Sequence, residues 1–296
     1  MQMHFILLGF IRMFNLFEGL IIQKSHQETE RSPKIIGGVV SSKADWPWQV
    51  AIFTYQNDVM KPVFLCGGTL IQTDVILTAA HCLASPSVKP DQLLVVAGEY
   101  DRTIEEGTEQ TRSVINITLH PIYVGNSPLL DGNDIAIVQL NESVLVTEHV
   151  KPIPRVTNDV AQVKASQRCF MTGWGVSDVA SVGKSKQPLP TKLVVAEMTI
   201  ISNRECNRRD QWDGIIVPTQ LCATNKRTSA CLGDSGGPLS CWIQGQYHLV
   251  GVISWGPKTC RGKPSVCTRV SAFKTWIEDT LATLHSPNGS QKQGHF

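Results

Sequence analysis

Residues 230–241 read ACLGDSGGPLSC. One serine, Ser235, stands between an aspartate and two glycines, with a cysteine near each end. Glycine is used where the backbone must take unusual dihedrals or lie close against another group. A turn of this kind can present a hydroxyl in a fixed place. A serine hydroxyl is nevertheless a weak nucleophile unless a base sits beside it. The stretch therefore asks the rest of the chain for a base and for a group to orient that base.

Working outward, the chain has 296 residues, 42% of them hydrophobic and 18% charged. That is globular composition, with length for one large or two small domains. The net charge of +2 excludes the strongly basic footprint of a nucleic-acid binder. Of nine cysteines most lie far apart, with no CxxC pair and no HExxH segment. They read as a disulfide framework rather than a zinc site, and so as an oxidising, extracellular compartment. The sequons at Asn116, Asn141 and Asn288 permit glycosylation there.

Residues 1–34 read as a signal and prosegment. An apolar run from Phe5 to Ile11 is ended by Arg12, without a basic leading region or a small-x-small cleavage pattern. A polar linker from Gln23 to Lys34 gives way abruptly to the apolar start at Ile35. From there short apolar runs recur between turn signals: WQVAIF, GGTLIQ, VILTAA, LLVVAG, IAIVQL, LVVAEMTI and HLVGVISW. This spacing predicts antiparallel all-β structure. One helix is predicted over Ser271–Leu284, capped by Ser271, with Phe273, Trp276, Ile277, Leu281 and Leu284 on one face.

A base is available in LTAAHC, as His81, and an orienting acid in GNDIAIVQL, as Asp134. Taken singly, such a histidine is more often structural, and such an aspartate is turn chemistry. Together TAAHC, DIAIVQL and GDSGGP, in that order and at these separations, resemble the chymotrypsin/trypsin-like serine protease family. WPWQV, CGGTLI, MTGWG and VISWG extend the likeness over Ile35–Leu284. The resemblance implies two six-stranded antiparallel β-barrels and a C-terminal helix, with a protease domain over 35–284 and a tail over 285–296. It implies Ser235 as nucleophile, His81 as general base and acid, and Asp134 as the group that holds the imidazole. The backbone N–H groups of Gly233 and Ser235 become the oxyanion hole. The precursor is cut between Lys34 and Ile35 by a trypsin-like protease, and the new amine pairs with Asp234. Two rivals are weighed against this reading: a catalytically silent binding protein on the same fold, and trypsin-like specificity.

The resemblance also implies four disulfides, Cys66–Cys82, Cys169–Cys241, Cys206–Cys222 and Cys231–Cys260. Cys267 is left over, either as a buried free thiol or as an intermolecular partner. Ser229 becomes the floor of the specificity pocket, where trypsin-like members carry an aspartate. Gly256 and Ser265 are its walls, and Ser254 and Gly256 offer backbone groups to an extended substrate. Cleavage is expected after Leu, Met, Phe or Tyr. The run GEYDRTIEEGTEQ resembles the family's calcium loop, with carboxylates from Glu99 and Glu109 and backbone oxygens of Asp101 and Ile104. Its rival reading is a solvated acidic face. No cofactor is expected for catalysis. The expected partners are protein or peptide substrates, an activating protease and protein inhibitors, acting on a secreted monomer.

Overall fold

The computed structural model describes residues 38–55, 61–125, 132–156, 167–175, 189–225, 229–231 and 233–286. Lys34, Ile35, the rest of the leading segment, Asn288 and most of the tail lie outside the described residues. A two-residue strand, β1 (Val39–Val40), leads in. Then come β2 (Gln49–Thr54), β3 (Val63–Gln72), β4 (Val75–Thr78), β5 (Leu93–Ala97), β6 (Gln110–Leu119) and β7 (Ala136–Leu140). These six close an antiparallel barrel in the order β2-β3-β4-β7-β6-β5.

A short β8 (Arg155–Val156) follows. Next are β9 (Cys169–Gly173), β10 (Val194–Ile201), β11 (Gln220–Thr224), β12 (Pro238–Ile243), β13 (Gln246–Trp255) and β14 (Ser265–Arg269). They run in the order β10-β11-β14-β13-β12-β9, and pairing of β9 with β10, with Met171 opposite Ala196, closes a second barrel. β1 joins the edge of β10, and β8 lies parallel to β13. The two six-stranded barrels are those expected from the sequence.

The side-chain pattern explains the closure. Along β10, Val194, Ala196 and Met198 are buried while Glu197 is exposed, the two-residue period of a strand with one wet face. Met171, Leu221, Leu239, Ile253 and Cys267 fill the same core. The first barrel is filled by Val50, Ile52, Leu70, Ile76, Val95 and Ile137, all nearly inaccessible. Each such side chain stabilises by about 1.5–3 kcal/mol through burial. The barrels are also joined by polar bonds. Trp48 Nε1 donates to Ser240 Oγ at 3.1 Å, and Thr172 Oγ1 donates to Gln49 Oε1 at 2.6 Å.

Among the described residues two α-helices accompany the strands. α1 (Asn203–Cys206) is a single turn capped by Ser202, whose Oγ accepts from Glu205 N at 3.1 Å. It is too short to leave a periodic signature in sequence. α2 (Lys274–Leu284) is the expected C-terminal helix, but it starts later and Ser271 does not cap it. A 3-10 turn, Val270–Phe273, runs directly out of β14 and feeds the helix, so Ser271 lies inside that turn. Phe273 and Ile277 are buried, with Trp276, Leu281 and Leu284 packed against the core.

Candidate active site

His81 sits in a one-turn 3-10 segment, Ala80–Cys82, just beyond β4. The Cys66–Cys82 disulfide ties that turn to β3. Asp134 lies two residues before the start of β7 and is fully buried. Its Oδ1 accepts the backbone N–H of His81 at 2.8 Å, and its Oδ2 lies 2.7 Å from His81 Nδ1. An ionised carboxylate can only accept, so Nδ1 carries the proton and Nε2 keeps its lone pair. Cys82 Sγ lies 3.8 Å from Nε2. The histidine side chain is 25% exposed and the aspartate side chain 1%, so the acid is shielded from water while the base is open on one side.

Burial by itself pulls the Asp134 carboxyl upward. The hydrogen bond and charge of His81 and the hydrogen bond from Ser254 outweigh it, and the pKa lies below the ordinary carboxylate value. Sequence reading gave Ser254 a backbone role only. Its hydroxyl in fact donates to Asp134 Oδ2. Thr268, which sequence reading missed, donates from Oγ1 to the Asp134 carbonyl at 2.7 Å. Both residues come from the second barrel, and no local sequence signal connects them to Asp134.

Ser235 arrives from the loop before β12 and is docked on the first barrel. Gly67 N donates to its carbonyl at 2.8 Å, and Thr78 Oγ1 donates to the Gly67 carbonyl at 2.8 Å. Gly236 makes that docking sterically feasible. It has φ +78°, and a Cβ there would stand 2.2 Å from Thr78 Oγ1 and 2.4 Å from the Gly67 carbonyl oxygen. Gly233, at φ +97°, packs against Gly175, with 3.0 Å from a would-be Cβ to its Cα.

Asp234 turns inward. Its carboxylate accepts from Gly175 N and Cys231 N, each at 2.9 Å. Burial drives its pKa up, these two donors draw it down, and the result is about 6. The electrostatic setting is a buried carboxylate with two neutral donors and no cation beside it among the described residues.

Ser229, Gly256 and Ser265 converge. Ala230 N donates to Ser265 Oγ at 2.7 Å, the two serine hydroxyls are 3.1 Å apart, and Ser229 Oγ also reaches the Ala230 carbonyl at 3.3 Å. If Ser265 donates to Ser229 and Ser229 to Ala230, every hydroxyl proton is used. A Cβ on Gly256 would meet the Ala230 carbonyl at 3.3 Å and Ser229 Oγ at 3.7 Å. Cys267, two residues beyond Ser265 on β14, is a buried free thiol whose pKa is pushed far up by burial. The other eight cysteines form Cys66–Cys82, Cys169–Cys241, Cys206–Cys222 and Cys231–Cys260. Because Cys66 and Cys82 are bonded to each other, their closeness to His81 is not a metal centre.

Away from this cleft, the acidic loop folds on itself. Glu109 accepts from Glu106 N at 2.7 Å and from Thr108 N at 2.9 Å. Lys43 Nζ lies 2.9 Å from Glu106 Oε1. Glu99 Oε1 and Glu106 Oε2 are buried without a hydrogen-bond partner. Burial, then the charge of Glu109, raises the Glu99 pKa to about 7. The Asp101 carbonyl accepts from Ile104 N at 3.0 Å, and Ile104 itself is exposed. Of the sequons, Asn141 is exposed beyond β7, whereas Asn116 is half-buried within β6 opposite Gln139.

The trypsin family model matches residues 35–277. The chain is 34% identical over 261 residues to chymotrypsin-like elastase family member 3B of Homo sapiens, covering 85% of this chain and 90% of the relative. It is 34% identical over 261 residues to proproteinase E of Bos taurus, covering 85% and 96%. Among solved structures it resembles neuropsin, a serine protease expressed in the limbic system of mouse brain. That match has a TM-score of 0.67 and 31% identity over 82% of this chain and 98% of the other.

Proposed function

The chain belongs to the trypsin family and is a serine endopeptidase, and from that premise we propose how its own residues carry out the hydrolysis. Ser235 Oγ attacks the peptide carbonyl while His81 Nε2 takes its proton. His81 then gives that proton to the leaving amine, and water repeats the sequence on the acyl-enzyme. Asp134 fixes the tautomer and stabilises the imidazolium. The N–H groups of Gly233 and Ser235 receive the oxyanion, each such donor contributing about 2.7–4 kcal/mol to the transition state. The observation that carries this reading is the buried Asp134 carboxylate gripping both His81 N and Nδ1. The test is labelling by a fluorophosphonate after cleavage at Lys34. Label is expected on Ser235 and absent from Ser235→Ala, and equal labelling of both proteins would refute the assignment.

Cleavage between Lys34 and Ile35 by a protease of trypsin-like specificity activates the precursor. The freed α-amine, mostly protonated at neutral pH, supplies the cation that Asp234 lacks. The protease domain spans 35–284. Substrate lies as an added strand along Ser254 and Gly256. Its side chain enters a pocket whose floor, Ser229, and wall, Ser265, are neutral and already hydrogen-bonded. Such a floor has no charge to compensate a desolvated Lys or Arg, and Ser265 narrows the pocket. Leu and Met are favoured there, with Phe and Tyr accepted.

Members of this family need no cofactor for the chemistry. Calcium has a structural place. The buried, unpartnered oxygens of Glu99 and Glu106 fit a hard cation, with Glu109 and the backbone oxygens of Asp101 and Ile104 completing an oxygen set. Four disulfides suit a secreted protein, which acts as a monomer, meets protein inhibitors and carries glycans at sequons such as Asn141, with Asn116 and Asn288 as further acceptors.

A further inference from the structure

Beyond the strand that receives substrate, the segment Pro257–Pro264 holds Lys258, Arg261 and Lys263 and no acidic residue. The whole chain is nearly neutral, with 27 basic and 25 acidic residues, so three cations in so short a stretch form a local concentration of charge. All three side chains are exposed, and none is in an ion pair among the described residues. On the neighbouring loop, Asp210 is engaged by Arg208 at 3.1 Å, and the exposed Asp213 is in no ion pair with the three cations among the described residues.

The segment is held rather than loose. Cys260 is bonded to Cys231 beside the serine loop. Within the segment, Cys260 N donates to the Pro257 carbonyl at 2.7 Å, and Thr259 Oγ1 to the Arg261 carbonyl at 3.1 Å. Lys263 Nζ stands 4.7 Å over the ring of Trp212. Trp212 Nε1 donates to the Pro264 carbonyl at 3.0 Å. The same indole meets Trp255 edge-on, with centroids 4.7 Å apart. Trp255 lies between Ser254 and Gly256, so one stack of two indoles connects the ammonium to the substrate strand. A cation fixed over an aromatic face has less rotamer freedom left to lose on binding a partner.

We propose that this basic rim selects peptides carrying Asp or Glu at the fourth and fifth residues before the scissile bond. The proposal rests on the reading that substrate adds antiparallel to Ser254–Gly256. In that register the residue before the scissile bond lies beside Ser254 and the third residue back lies beside Gly256. The chain upstream is then carried toward the segment Pro257–Pro264, which holds Lys258, Arg261 and Lys263. The preferred substrate is thus an acidic segment followed by an apolar residue at the cut.

The test uses the full chain after activation and three peptides identical from the third residue before the cut onward. They carry Glu-Glu, Gln-Gln or Lys-Lys at the two positions upstream. Exposed ion pairs are individually weak, so the Glu-Glu peptide is expected to exceed Gln-Gln in kcat/KM by about three- to tenfold at low salt. Lys-Lys should fall below Gln-Gln, with the differences mainly in KM. At about 0.5 M salt, where the screening length is only a few ångströms, the three should draw together. The triple variant K258Q/R261Q/K263Q should remove the ordering, and K258R/K263R should keep it. Equal rates in the native enzyme, or an ordering that survives the triple variant, would overturn the rim while leaving the strand-and-pocket reading standing. Failure of the activated chain to cut any of the three would overturn that reading and the rim with it.

Discussion

At the scale of single residues, the proposed pocket turns on one hydroxymethyl group. Ser265 Oγ is fastened by Ala230 N and lies against Ser229, so its position is fixed beside the proposed pocket floor. Ser265→Gly should widen the pocket and raise kcat/KM for Phe relative to Leu. A change of one or two heavy atoms in such a pocket is worth about 1–3 kcal/mol, so the ratio should move about tenfold. Paired peptides differing only at that residue measure it, and an unchanged ratio would mean Ser265 does not line the pocket. On the proposed reading, the neutral hydroxyl pair likewise gives Lys and Arg no counter-charge.

At the scale of elements, the serine loop and the acidic loop depend on opposite kinds of closeness. The serine loop meets the first barrel through Gly236, where a methyl group would strike Thr78 Oγ1 and the Gly67 carbonyl. Gly236→Ala should destabilise the fold by at least about 1–2 kcal/mol from its left-handed φ alone. It should also lift Ser235 away from His81, lowering kcat far more than it raises KM; denaturation and peptide kinetics on one preparation separate the two effects.

The acidic loop is strained by charge instead. Glu99 has a folded pKa raised to about 7 from 4.5, so the folded state holds that proton more tightly than the unfolded chain does. Stability is therefore fully present below the unfolded pKa and is lost as pH rises through about 7, unless a cation offsets it. Chelator should accordingly lower the melting temperature by several degrees at about pH 8 and hardly at all near pH 5, and Glu99→Gln should shrink that difference. Calorimetry with and without calcium checks it, and indifference to chelator at both values would return the loop to a solvated face.

At the scale of the molecule, the site exists only where two barrels meet. His81 and Asp134 come from the first barrel, Ser235, Ser254 and Thr268 from the second, and Asp134 is bonded from both sides. The proposed activation would act on this joint through Asp234, whose buried carboxylate has two N–H donors. The uncut chain should turn over peptides poorly, and cleavage after Lys34 should raise the rate by orders of magnitude. In Asp234→Asn the same cut should give little gain, because the new amine then has no charge to pair with. Rates before and after the cut, in both proteins, decide the point; equal rates before and after it in the native chain would remove the switch.

The order of TAAHC, DIAIVQL and GDSGGP determined the family and hence the barrels, because motif residues sit at strand ends whose apolar runs are visible in one dimension. β10 and β7 were legible for the same reason: alternation or a continuous apolar run is a local property. The one-turn helix at Asn203 and the late start of α2 were not, since one depends on four residues and the other on how β14 delivers the chain. Likewise the hydroxyls of Ser254 and Thr268 look like ordinary strand residues. They lie more than a hundred positions from Asp134, and only closure of the second barrel against the first brings them to a carboxylate that burial would otherwise leave in want of donors.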